Sequence, residues 1–121
     1  MTNTQTTHYR LANVSKTFYA TIHIAGDVSV AEQFSREYTF VKGWCVQITP
    51  TTYVYTGGKE DGMTIRVICY PRFPRPDDEI LQEVSDFAAV LANKLCQMSY
   101  TIESSTNTYY YESTDPLHVK K

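Results

Sequence analysis

The sequence predicts an α+β fold, and three observations carry the prediction. Residues 16–25 alternate polar and apolar with a period of two, two later segments space their apolar residues as helices do, and a glycine-rich stretch separates two β-like runs. With 121 residues, 42% of them hydrophobic and 20% charged, the chain has the size and composition of one globular domain and too little apolar material for two cores. No apolar run approaches the roughly 20 residues that a membrane-spanning helix needs.

In the first strand Phe18, Ala20, Ile22 and Ile24 share one side, while Tyr19, Thr21 and His23 share the other. Gly26 and Asp27 end it. Ser29 with Glu32 three residues on has capping-box spacing, and Ala31, Phe34, Tyr38 and Val41 follow at helical intervals until Gly43. Trp44 to Thr49 reads as a second strand. Pro50 breaks it in a way that suits a bulge, a bend or a sheet edge, and it resumes over Thr52 to Tyr55. Residues 56–62 hold three glycines and read as a hairpin loop needing positive φ angles. Met63 to Tyr70 is the third strand.

Pro71, Pro74 and Pro76 then fix φ at three positions, forcing a stiff exit from the sheet. Asp77 and Asp78 suit the positive end of a helix, along which Ile80, Val84, Phe87, Ala88, Leu91 and Leu95 form one apolar stripe to about Met98. Tyr100 to Ser104 is a fourth strand. Turn-forming residues 105–107 lead to Thr108–Tyr111, with room for an extra C-terminal strand. The order βαββαβ is the ferredoxin-like plan, an antiparallel sheet with two helices on one face. Residues 1–15 are expected to be a polar arm, 16–112 the single domain and 113–121 a tail.

Several functions lose ground on these residues. A net charge of -2 offers no general attraction for a phosphate backbone, which speaks against nucleic acid as a partner. Cys45, Cys69 and Cys96 lack metal-ligand spacing and read as free, mostly buried thiols of a cytoplasmic protein; neither a metal nor a cofactor is expected. The N-terminus has no signal-peptide pattern. The loop glycines match neither GxGxxG nor GxxxxGK[ST] and lead into a strand, so a phosphate cradle is not expected there.

Two surfaces attract attention. The sheet face away from the helices should carry Tyr19, His23 and Arg66 with aromatic neighbours such as Tyr55 and Tyr70. The proline-locked exit presents Arg72, Phe73 and Arg75, a grouping suited to anion recognition and stacking. The plainer arrangements are an ordinary solvated face, and Arg72 and Arg75 paired with Asp77, Asp78 or Glu79. His23 is the only histidine in an expected ordered element. An enzymatic role for it requires a second polar group beside it, and no such group is visible in the spacing.

The segments His23-Ile-Ala-Gly-Asp27, Tyr55-Thr-Gly-Gly-Lys-Glu-Asp-Gly62 and Tyr70-Pro-Arg-Phe-Pro74 are similar in style to small accessory proteins of tailed phages. That resemblance implies a protein that binds or inhibits a host factor in the host cytoplasm. With ten tyrosines, a residue type favoured at interfaces, and no complete catalytic set, the expectation is a non-enzymatic interaction protein, a homo-oligomer with a protein partner. The alternative is a binder that sequesters a small anionic or nucleotide-like ligand through Arg66, Arg72 and Arg75.

Overall fold

A computed structural model describes residues 8–14, 17–67 and 76–115. The elements run β1 (Ala20–Ala25), α1 (Val28–Lys42), β2 (Val46–Tyr55), β3 (Gly58–Val67), α2 (Asp77–Lys94), β4 (Ser99–Ser104) and β5 (Thr108–Glu112). The five strands form one antiparallel sheet in the order β2-β3-β1-β4-β5. This is the expected ferredoxin-like plan, extended at one edge by the C-terminal strand.

Strand alternation decides which side is buried. Ala20, Ile22 and Ile24 of β1, Met63, Ile65 and Val67 of β3 and Ile102 of β4 meet Val84, Phe87, Ala88 and Leu91 of α2 and Ala31 of α1 in one core. Each large side chain withdrawn this way contributes about 1.5–3 kcal/mol. Four rings close the layer where the helices and β2 converge: Phe87 has its centroid 4.9 Å from Tyr38, 5.6 Å from Phe34 and 5.8 Å from Trp44. Trp44 Nε1 donates to Glu83 Oε1 at 3.1 Å, so the indole is apolar inside and satisfied at its rim.

Four local expectations need correction. Asp27, not Ser29, caps α1; its carboxylate accepts from the backbone N–H of Ser29 and Val30, and the helix begins at Val28. Val41 is 80% exposed, and Ser35 takes the buried place along that helix instead. The loop foreseen at 56–62 is a tight turn at Thr56–Gly57, with β3 starting at Gly58; only Gly57 in it has a positive φ, +87°. Cys96 is exposed, while Cys45 is half-buried as a free thiol.

Other expectations stand. Gly43 ends α1 with φ +72°, its N–H donating to Thr39 O at 2.8 Å. Pro50 lies in an edge strand, one of the settings expected for it, but the break expected there is absent, since β2 runs on from Val46 to Tyr55 in continuous register with β3. Tyr9, Leu11 and Val14 are highly exposed. The expected third-strand end and proline exit over residues 68–75 lie outside the described residues.

Candidate active site on the free sheet face

Facing away from the helices, most residues of the strands are polar or aromatic, with Ala25 and Gly62 as small exceptions. Thr21 of β1 stands opposite Arg66 of β3 and Glu103 of β4, and His23 stands opposite Thr64 and Thr101. Gln47 and Thr49 of β2 continue these rows opposite Arg66 and Thr64.

Tyr53 starts on the edge strand yet reaches His23 on β1, and Gly62 is the reason. A Cβ at residue 62 would stand 2.9 Å from Tyr53 Cε2 and 2.5 Å from the Ile24 carbonyl oxygen; with none there, the Tyr53 ring crosses over β3. It meets the His23 ring edge-on, centroids 6.0 Å apart.

The polar atoms then form a chain. Tyr53 Oη donates to Met63 O at 2.9 Å and lies 3.1 Å from His23 Nδ1, while His23 Nε2 lies 2.9 Å from Glu103 Oε1. Tyr53 has one proton to give. With that proton given to Met63 O, the Tyr53 oxygen is left to accept from His23 Nδ1. Burial, and then the Glu60 carboxylate, push the Tyr53 phenol above its usual value, which keeps it a donor. The Glu103 side chain remains 54% exposed, so part of its carboxylate faces outward from the sheet.

The expected site residues fare unequally. His23 and Arg66 share this face with Tyr19, whose ring lies 5.2 Å from the Arg66 guanidinium. Tyr55 sits at the hairpin end with its ring against Gly58, beyond the cluster. Tyr70, Arg72, Phe73 and Arg75 lie outside the described residues. Sequence reasoning missed Tyr53 and Glu103. The second could have been found, because the expected plan puts the fourth strand beside the first and parity then places Glu103 on His23's face.

Two clefts open on the helical side. One of about 470 Å³ lies between α1 and Val46 and Ile48 of β2; the other, about 710 Å³, lies between the end of α2 and the stacked pair Tyr100 and Tyr111. Neither includes the His23 cluster. Among the described residues no group of three or more His, Cys, Asp or Glu is placed to hold a metal. No described helix is long and apolar enough to cross a membrane.

No family model matches the sequence, and no curated protein matches it. Among solved structures the chain is similar to a phage SAM lyase in the apo state, with a TM-score of 0.59 and 12% identity over 80% of this chain and 90% of that one. It is also similar to a phage SAM lyase in complex with S-methyl-5'-thioadenosine, with a TM-score of 0.57 and 12% identity over 88% of this chain and 97% of that one. At this identity the likeness is one of fold, and the phage origin of both structures is consistent with the resemblance noted from the sequence. It nevertheless overturns the expectation of a non-enzymatic interaction protein or sequestering binder, because the solved structures that share the fold are those of an enzyme. His23, Tyr53 and Glu103 come from three strands far apart in sequence, so no motif joins them.

Proposed function

We propose that this chain is a lyase that cleaves S-adenosylmethionine (SAM) and releases S-methyl-5'-thioadenosine, with the His23–Tyr53–Glu103 face as its reacting surface. The observation that carries the reading is the hydrogen-bonded trio itself, set on a fold similar to that of two phage SAM lyase structures.

The chemistry asks little of an acid. Releasing the thioether breaks the bond between the sulfonium sulfur and the γ-carbon of the methionine portion. The bonding pair stays on sulfur, which becomes neutral, so the leaving group needs no proton. Without water, the γ-carbon is satisfied by a carboxylate oxygen of the departing four-carbon fragment, whose lone pair forms a new C–O bond as the C–S bond breaks, closing a five-membered lactone with no proton to move. The protein's work is to hold the cation in a reactive conformation and shield it from solvent. The Glu103 carboxylate suits a sulfonium by its charge and the Tyr53 ring by its quadrupole, while the Tyr53 hydroxyl sets the His23 ring that orients Glu103. His23 fixes Glu103 from one side and Tyr53 from the other.

The test is release of S-methyl-5'-thioadenosine from SAM, followed by chromatography with purified protein. Wild type should turn over. Glu103→Gln and Tyr53→Phe should each lose about 10²-fold or more in kcat/KM, a loss typical for a positioned polar group, while remaining folded. An inactive wild type would refute the lyase reading, and full activity in both variants would remove the reaction from this face.

A further inference from the structure

The free face carries a second feature that the trio does not use. Arg66 and Glu103 stand directly opposite the same residue, Thr21, one on each neighbouring strand, so their Cα atoms lie about 10 Å apart by the usual strand spacing. They are opposite charges on one face, and each is held by another group. The Arg66 guanidinium lies over the Tyr19 ring at 5.2 Å, and Glu103 bonds His23 at 2.9 Å. Among the described residues no carboxylate or carbonyl takes the Arg66 N–H groups. A ring contact beneath a guanidinium orients its plane and leaves its five donors open, the geometry that receives a carboxylate bidentately. Thr21, small and half-buried, forms the floor between the two charges.

We infer that Arg66 binds the carboxylate of an amino-acid-bearing ligand whose ammonium group lies toward Glu103, across Thr21. This rests on, and deepens, the lyase reading: SAM carries such an arm, and S-methyl-5'-thioadenosine does not. Arg66 is then a specificity-determining residue that distinguishes substrate from product, since the product loses the group that Arg66 holds. Lysine at this position keeps the charge and loses the planar fork.

The experiment is calorimetric titration of wild type, Arg66→Ala and Arg66→Lys with S-adenosylhomocysteine, which has the arm, and with S-methyl-5'-thioadenosine, which lacks it. Thermal midpoints verify that the exposed substitutions leave the fold intact. Arg66→Ala should weaken S-adenosylhomocysteine at least tenfold and leave S-methyl-5'-thioadenosine within twofold, with Arg66→Lys in between. Equal weakening of both ligands, or no change in either, overturns the inference, as does failure of wild type to bind either one. Arg66-dependent binding by a wild type that releases no S-methyl-5'-thioadenosine from SAM sinks the lyase reading and leaves the carboxylate site standing. Turnover with a KM for SAM indifferent to Arg66 does the reverse.

Discussion

Tyr53 reaches His23 because position 62 has no side chain, and that gives Gly62 a role that turn chemistry would not assign. Gly62→Ala would press a methyl group against the Ile24 carbonyl oxygen at 2.5 Å, Ala25 Cα at 2.9 Å and Tyr53 Cε2 at 2.9 Å. Two of these are backbone atoms that cannot turn aside, so strand β1 must shift and the Tyr53 ring must move as well. We expect a stability loss of about 1–3 kcal/mol by urea unfolding, the usual cost of overpacking, together with weakened activity. Tyr53→Phe is the informative companion. It keeps the ring over Gly62 and removes only the hydroxyl, so its stability loss should stay near 1 kcal/mol while turnover falls far more. Parallel losses in both quantities would mean that the hydroxyl is structural.

At the scale of elements, the alternating pattern of β1, the stripe of α2 and the C-terminal strand were legible because local periodicity and tertiary burial agree there. The hairpin was not. Its glycines resemble a loop, yet residues 58–62 pair with β2 through Tyr55↔Gly58 to Thr51↔Gly62 and make strand out of loop composition. Cross-strand pairing overrides propensity in this stretch. The site stayed hidden for a related reason, since Tyr53 is brought to His23 by register and by a missing Cβ, neither of which is a spacing. The hairpin also outruns the sheet: β1 covers β3 only from Gly62 to Arg66, leaving the ribbon 52–61 two-stranded. Two strands alone are marginal in water, so hydrogen exchange should find amides of 52–61 exchanging at least tenfold faster than those of 63–67. Equal protection would mean that another surface covers the ribbon. A second local test concerns the end of α2, where Cys96 adopts φ +58° while Gln97 N–H closes on Ala92 O at 2.9 Å. Glycine fits that left-handed position better, and Cys96→Gly should raise stability by about 1 kcal/mol in urea unfolding.

For the whole molecule, the sheet separates two faces: one supplies the core and the other carries the proposed site. Phe87 joins α1, α2 and the start of β2 through contacts to Phe34, Tyr38 and Trp44, and it is fully buried. The site should therefore tolerate changes beneath the helices only as far as the fold survives them. Alkaline pH tests this coupling without any mutation. Three phenols distributed over the domain are held above the usual tyrosine value of 10.0: Tyr38 by burial and then by Asp86 and Glu83, Tyr53 by burial and then by Glu60, and Tyr100 by burial and then by Tyr111 and Asp86. A raised folded-state pKa means that near and above pH 10 the unfolded chain gives up these protons before the folded one does. The unfolded state then binds fewer protons, and the free energy of unfolding falls as pH rises. Below the unfolded-state value all three phenols are protonated in both states, and their stabilising contribution is fully present. Urea midpoints should accordingly show no tyrosine-linked change between pH 7 and about 9, then decline through pH 10 and above, with phenolate absorbance lagging in the folded protein. Tyr53→Phe should flatten part of that decline, because it removes one of the three groups and with it the hydroxyl that bonds His23. An alkaline limb identical in wild type and Tyr53→Phe would show that the phenol reaches solvent freely, and would take Tyr53 out of the proposed site.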